Sequence, residues 1–184
     1  YPKNLKEIFD PPIVLYVKGE IKPEDADAVA IVGSRMPSHY GVANCEKLST
    51  ELASRGITIV SGMARGIDTA AHKGAIKSGR TIAVLGSGLN QIYPPENRKL
   101  ADEICERGAV ISEFPMNTPP NKFNFPRRNR VISGLSLGVL VVEAGETSGA
   151  LITAGFALEE NREVFAVPGR IDSKTSTGTN KLIK

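Results

Sequence analysis

Seven short apolar runs rich in β-branched residues recur along the chain, and most end in Gly or Ser. The runs are IVLYV (13–17), AVAIVGS (28–34), ITIVSG (57–62), TIAVLGSG (81–88), AVIS (109–112), GVLVVEA (138–144) and VFAVPG (164–169). Their apolar residues are continuous rather than alternating. This pattern predicts strands that are covered on both faces, as in a parallel sheet.

Amphipathic segments lie between these runs, and several of them close with Gly, the usual helix stop. Examples are VANCEKLSTELASRG (42–56), TAAHKGAIKSG (69–79) and NRKLADEICERG (97–108). We therefore predict an α/β fold, a doubly wound and mostly parallel sheet with helices on both faces, in an extended Rossmann-like arrangement. A ligand site is then expected at the carboxyl ends of the strands.

The domain organisation is expected to be simple. A chain of 184 residues with 41% hydrophobic content can bury one core. We expect residues 1–27 to form an N-terminal lead-in with an extra strand, and residues 28–184 to form the Rossmann-like domain. The chain begins without Met, at YPKNL, so we expect it to be a piece of a longer protein.

Composition excludes several function classes. The formal charge of +3 is only mildly basic, so any polyanion site must be local. Cys45 and Cys105 lie far apart, in segments that are predicted to be helical, which disfavours a disulfide scaffold and indicates a reducing cytoplasm. No apolar run approaches the roughly 20 residues that span a bilayer. We expect a cytoplasmic protein without a membrane segment.

The turns at the strand ends indicate a phosphate ligand. Small residues there leave backbone N–H groups free, and each following helix offers its positive end. The alternative is that any tight strand–helix turn needs Gly. It is weaker here because three turns also carry arginines. The turns are GSR (33–35), SGMARGID (61–68), GSGLN (86–90), FPRRNR (125–130), AGETSGA (144–150) and VPGR (167–170).

The common nucleotide and nucleophile motifs are missing. AIVGSRMPSHYG lacks the second and third glycines of a dinucleotide fingerprint, and no GxxxxGK[ST] or GxSxG motif occurs. The two histidines and two cysteines are too widely spread for a zinc cluster. We expect neither a cofactor nor a metal.

Asp68 and His72 are four residues apart and lie on one face of a predicted helix, so an acid/base pair is conceivable. We favour a structural interpretation, in which Asp68 caps the helix or pairs with Arg65 and His72 is a buried, hydrogen-bonded histidine.

Glu143 and Glu146 could be the carboxylates of a hydrolase that cleaves a nucleotide's glycosidic bond. The favoured alternative is that Thr147 or Ser148 caps the helix GALITAGFALEE, with Glu146 placed at its positive end.

The segment FNFPRRNR (123–130) is the strongest local signal. Pro126 suits the first turn of a helix, which puts Arg127 and Arg128 at a helix N-terminus, where each cation costs up to about 1 kcal/mol. The arrangement makes sense if an anion is bound there, or a neighbouring acid such as Glu113 or Glu143.

Phe123 and Phe125 could stack unpaired bases, an interaction worth roughly 1–3 kcal/mol per base. We expect one of the two to lie in the core. With Lys122, the segment predicts a ligand that carries both phosphates and bases, such as single-stranded nucleic acid or a nucleotide.

Read together, the motifs resemble the Rossmann-like core of the DNA-processing protein A (DprA/Smf) family over nearly the whole chain. The motifs are AIVGSR, SGMARGIDTAAHKGAI, TIAVLGSGLNQIYPPEN, SEFP, FPRRNRVISGLS, VLVVEAGETSGALITAGFALEENREVFAVPG and STGTN. The resemblance implies a non-enzymatic bacterial protein that binds single-stranded DNA, forms a homodimer through this domain, and helps to load the RecA recombinase onto DNA in natural transformation. It also implies that flanking domains are missing from this chain.

The resemblance also implies the DNA-binding residues. The Gly-Ser-Arg turn and the basic-aromatic loop are expected to build the pocket, and two further turns are expected to border it. The candidates are Gly33, Ser34, Arg35, Gly62, Arg65, Gly86, Ser87, Lys122, Phe125, Arg127, Arg128 and Arg130.

Two other functions stay open. One is a nucleotide hydrolase that resembles the phosphoribohydrolases acting on nucleoside monophosphates, although their Pro-Gly-Gly-x-Gly-Thr loop is not found here. The other is an interaction scaffold for the recombinase, with DNA contact incidental.

Overall fold

A computed structural model describes residues 1–184 and contains one seven-stranded sheet. The strands are β1 (Tyr16–Gly19), β2 (Ala28–Val32), β3 (Thr58–Ser61), β4 (Thr81–Val84), β5 (Ala109–Ser112), β6 (Gly138–Val141) and β7 (Glu163–Ala166). Their order in the sheet is β1-β5-β4-β3-β2-β6-β7. Only β1 is antiparallel to its neighbour, so the predicted mostly parallel sheet is confirmed.

Seven α-helices accompany the sheet: α1 (Lys3–Lys6), α2 (His39–Ser54), α3 (Ile67–Ala75), α4 (Arg98–Arg107), α5 (Asn124–Gly134), α6 (Gly149–Glu159) and α7 (Thr177–Ile183). Short 3-10 turns lie at Pro23–Ala26, Pro95–Asn97 and Lys174–Ser176. None of the helices combines the length and the apolar character that crossing a bilayer requires.

The central strands are buried at every position, which is why their sequences are continuously apolar. Neighbouring residues on one strand face opposite layers, as the pleat requires. Ile59 packs into the cluster that contains Cys45 and Ile67 of α2 and α3, whereas Val60 packs into the larger cluster with Val131 of α5. The predicted two-layer covering of the sheet is thus confirmed.

The first strand begins later than the sequence suggested. IVLYV predicted a strand from Ile13, but β1 begins at Tyr16, and Ile13 and Val14 are exposed. The register explains the difference, because Tyr16 pairs with Ser112 and β5 ends at that residue. No strand residue remains for Ile13 or Val14 to pair with.

The sheet changes its direction of growth between β2 and β6. From β2 the chain adds β3, β4 and β5 on one side, and then crosses back to add β6 and β7 on the other. In open α/β sheets the loops at such a switch point diverge and leave a crevice at the carboxyl ends of the strands, where ligands bind. The fold therefore directs attention to the ends of β2 and β6.

Candidate nucleic-acid interface

A cleft of about 870 Å³ opens at this switch point, between the first turns of α5 and α6. We use the name cleft for this space. Its walls carry four basic side chains, Arg35, Lys122, Arg128 and Lys174, against a single acid, Asp68. Because the whole chain is only mildly basic, the positive charge is concentrated here.

The Gly-Ser-Arg turn leaves β2 and forms one wall. Gly33 packs so closely on α3 that a Cβ there would lie 2.7 Å from the Ile67 side chain, so only Gly fits. Ser34 N donates to Glu143 O at 2.7 Å, and Ser34 Oγ accepts from Met36 N at 3.1 Å. These contacts fix the turn and leave the exposed Arg35 side chain without an ion pair.

Arg35 lies over an aromatic surface. Its guanidinium carbon is 5.5 Å from the centroid of the Phe125 ring, a cation–π distance. Tyr93 extends the surface, since its ring centroid is 5.9 Å from that of Phe125, with an interplanar angle of 39°. Both rings line the cleft and a smaller adjoining cavity of about 60 Å³. Ring faces beside guanidinium groups can hold unpaired bases.

Sequence reasoning missed Tyr93. The available signal was its place in QIYPPEN, directly after the GSGLN turn at the end of β4. Gly86 of that turn has a structural reason to be small, because a Cβ there would lie 2.6 Å from the Phe125 ring.

Neither Phe123 nor Phe125 lies in the hydrophobic core, although one of them was expected there. Phe123 is 72% exposed, with Lys122 Nζ 5.0 Å from its ring centroid. Phe125 is half-buried in the cleft wall. That expectation was wrong, because α5 begins at Asn124 and turns the Phe125 ring towards the cleft rather than under the sheet.

Arg128 lies at the floor of the cleft with only 5% of its surface exposed. Its Nη1 donates to Val84 O and its Nε donates to Asn129 Oδ1, whereas Nη2 has no hydrogen-bond partner. No carboxylate lies within ion-pair distance. Burial lowers the pKa of Arg128 to about 10, so the side chain stays cationic at neutral pH. The buried carboxyl of Asp68 attracts this cation from beyond ion-pair distance, so an anionic ligand in the cleft can still pair with Arg128 directly.

Arg127 and Arg130 lie outside the cleft. Glu113 Oε2 pairs with Arg127 Nη2 at 3.1 Å and with Arg130 Nη2 at 2.6 Å, and Arg130 Nε lies 3.2 Å from Asp10 Oδ2. Glu113, one of the two acids that the sequence suggested as a partner for the arginine cluster, therefore occupies this role. This geometry therefore does not support the prediction that Arg127 and Arg130 contact DNA in the cleft.

The remaining predicted contacts lie at or beyond the margin of the cleft. Arg65 lines the smaller cavity and pairs with Glu96 rather than with Asp68. Gly62 lies behind the floor, where a Cβ would come 2.8 Å from Arg128 Nη1. Ser87 is buried, and its Oγ donates to Gln91 O at 2.6 Å.

The two candidate hydrolase carboxylates are engaged elsewhere. Glu143 is buried, and its carboxylate accepts hydrogen bonds from Ser38 N at 3.0 Å and Ser38 Oγ at 2.5 Å. It thus occupies the N-terminus of α2, where a dinucleotide-binding fold would place a pyrophosphate. Glu146 is exposed and pairs with Lys181. Ser148 caps α6 by accepting from Ala150 N, as predicted.

The structural interpretation of His72 is confirmed, whereas Asp68 neither caps α3, whose N-cap is Gly66, nor pairs with Arg65. His72 is fully buried, its Nε2 donates to Gly62 O at 2.7 Å, and its Nδ1 lies 2.7 Å from Thr81 Oγ1. Burial lowers the pKa of His72 to about 4. Asp68 Oδ2 accepts from Ala64 N at 3.2 Å, and burial raises the pKa of Asp68.

The fold and the cleft define a Rossmann-like α/β domain with a cationic, aromatic-lined crevice at its switch point. The family model of DNA recombination-mediator protein A matches residues 1–184, and the chain belongs to this family. Protein Smf of Escherichia coli is 52% identical over all of this chain and 50% of that protein. The chain thus spans about half of this curated relative.

Two solved structures are close to this one. The X-ray structure of DNA processing protein A from Streptococcus pneumoniae has a TM-score of 0.94 at 47% identity, over 100% of this chain and 65% of that one. A structure of DNA processing protein A from Helicobacter pylori has a TM-score of 0.92 at 36% identity, over 100% of this chain and 84% of that one. The latter is described as giving insights into a single-stranded DNA binding mode.

Proposed function

We propose that this chain binds single-stranded DNA in the cleft and performs no catalysis. The observation that carries the proposal is the buried Arg128, which forms no ion pair and lies in the same cleft as the exposed Arg35 and the half-buried Phe125. The single-stranded DNA binding described for the H. pylori relative supports it.

In this proposal Arg35, Lys122 and Arg128 contact backbone phosphates, while Phe125 and Tyr93 stack a base. Phosphate contacts fix the position of a strand without specifying its sequence, so sequence preference should be weak. A duplex keeps its bases stacked inside and cannot use the aromatic surface, so a single strand should bind more tightly.

The wider role rests on the family. We propose that the protein acts in the cytoplasm as a homodimer that loads the RecA recombinase onto single-stranded DNA during natural transformation. This role concerns the whole protein, and the chain covers only 50% of its E. coli relative.

The two candidate hydrolase carboxylates and His72 do not support the hydrolase alternative. Glu143 is held by Ser38, Glu146 pairs with Lys181, and the pKa of His72 is lowered to about 4 by burial. None of these groups is free to transfer a proton to a ligand in the cleft. Incubation with nucleoside monophosphates should therefore release no free base.

The test of DNA binding is fluorescence anisotropy with a labelled oligo-dT and a duplex of the same length, at two salt concentrations. The wild type is compared with the Lys122→Ala, Phe125→Ala double variant, and Phe123→Ala serves as the control for loss of an exposed ring. We expect salt-sensitive binding of the single strand that the double variant loses and the control keeps. Equal binding of strand and duplex by all three proteins would refute the proposal.

A further inference from the structure

We propose that the cleft holds a second phosphate subsite at the N-terminus of α6, so that it binds two successive phosphates of one strand. This inference rests on the proposed function and extends the contacts beyond Arg35 and Phe125. The subsite consists of the Gly149 N–H, the Thr153 hydroxyl and the Lys174 side chain, all of which line the cleft.

The start of α6 differs in charge from the starts of α2 and α3. Glu143 occupies the N-terminus of α2, and Asp68 lies in the first turn of α3. The first turn of α6 contains no acid, and Ser148 Oγ accepts only the N–H of Ala150. The Gly149 N–H has no acceptor, and no atom lies within 4 Å of the position a Cβ would take there. The dipole of this 11-residue helix is therefore unneutralised on the cleft side.

Thr153 supplies an independent observation. It lies one turn after Gly149, hence on the same helix face, and it is only 1% exposed. Its hydroxyl donates no hydrogen bond and accepts none from the protein, although threonines in helices usually bond to a preceding carbonyl. The fully buried side-chain polar atoms without a partner are Glu113 Oε1 and Arg162 Nε, so the Thr153 hydroxyl oxygen is open to the cleft and free to bond to a ligand oxygen there.

Lys174 supplies the charge. It lies on the turn before α7, at the rim of the cleft, and its exposed ammonium group makes no ion pair. The turn is held against the start of α6, since a Cβ on Gly145 would lie 3.2 Å from Lys174 O. The volume of about 870 Å³ is near the top of the roughly 300–1,000 Å³ range of ligand pockets. There is room beyond the base that Phe125 would stack.

The subsite is tested by anisotropy titration of labelled oligo-dT against Thr153→Val and Lys174→Ala at several salt concentrations. Lys99→Ala is the matched control, because Lys99 is also exposed and unpaired but lies on α4 away from the cleft. Arg35→Ala reports on the first subsite. Urea denaturation checks that Thr153→Val, which removes no hydrogen bond, keeps its fold.

We expect each subsite variant to bind about 3- to 10-fold more weakly at low salt, while Lys99→Ala binds like the wild type. Lys174→Ala should also reduce the log–log salt slope by about 0.7, whereas Thr153→Val should leave it unchanged. The amide resonance of Gly149 should shift when the oligonucleotide is added.

The two proposals fail in different ways. If Thr153→Val and Lys174→Ala bind like the wild type while Arg35→Ala loses binding, the second subsite is refuted and DNA binding in the cleft stands. If the wild type does not bind the oligonucleotide, or if Arg35→Ala has no effect, both proposals are overturned.

Discussion

Arg128 and Arg130 lie two residues apart on α5, and both are more than 90% buried, yet their surroundings are opposite. Arg130 is enclosed by the carboxylates of Glu113 and Asp10. Arg128 faces the cleft and forms no ion pair, with the buried carboxyl of Asp68 as its more distant counter-charge. A buried arginine that is ion-paired with carboxylates of the protein stabilises the fold. A buried arginine that forms no ion pair is available to an anionic ligand.

The largest effect should come from Arg130→Met. This change leaves the Glu113 carboxylate, which is 4% exposed, with Arg127 as its only partner. Breaking a buried ion pair costs about 3–5 kcal/mol, and we expect the lower end because Arg127 remains. Urea denaturation measures the loss. The folded variant should keep its affinity for oligo-dT, and adding Glu113→Gln should restore part of the stability.

The second effect concerns pH. The folded-state pKa of His72, about 4, lies below its ordinary value of 6.5. The unfolded chain therefore binds the proton first, and stability falls as the pH drops from about 6.5 to about 4, by up to about 3 kcal/mol. Denaturation curves of the wild type and of His72→Gln across this range measure the difference.

His72→Gln should flatten the pH dependence between these limits. Asp68 contributes with the opposite sign, since its raised pKa favours the folded state as the pH falls, but it is present in both proteins. Identical slopes for the two proteins would show that His72 is not the responsible group.

The third prediction is the counterpart of the first. Arg128→Met breaks no ion pair but removes a hydrogen bond to the buried Val84 O, so the free energy of unfolding should fall by about 1–2 kcal/mol, less than for Arg130→Met. Affinity for oligo-dT should fall by about 10-fold or more, because a hydrogen bond to a charged group is lost. If Arg128→Met destabilises the fold as much as Arg130→Met does, the contrast between the two arginines is wrong.

The smallest effect should come from Tyr93→Leu. The ring extends the aromatic surface beside Phe125 but is not covered by Arg35. We expect binding of oligo-dT to weaken by about 1 kcal/mol, near the low end of base stacking on an aromatic ring. Tyr40→Leu, on the exposed face of α2, is the control in the same anisotropy assay.

The sequence predicted the sheet well because its signals are local. Continuous apolar runs marked the strands, and AVIS (109–112) coincides with β5. The start of β1 was predicted wrongly because it depends on where its neighbour β5 ends. The segment IVLYV carries no information about that pairing.

The cleft was harder to predict. FPRRNR was recognisable as a cationic segment, but the partner of each arginine depends on the helix rotation between Arg128 and Arg130 and on the distant Glu113 and Asp10. The position of Tyr93 after the end of β4 was readable, but its contact with Phe125, 32 residues further along the chain, was not. Contacts between separate loops at one sheet edge are set by topology.

The most direct test of the account is the salt dependence of oligo-dT affinity for the wild type and Arg35→Ala. If Arg35, Lys122 and Arg128 neutralise phosphates, the wild-type log–log slope should be about −2 or steeper, and Arg35→Ala should be shallower by about 0.7 and bind at least about 10-fold more weakly. An affinity that does not change with salt, or an unaltered slope in a folded Arg35→Ala, would contradict the central claim that the cleft binds the phosphates of a single strand.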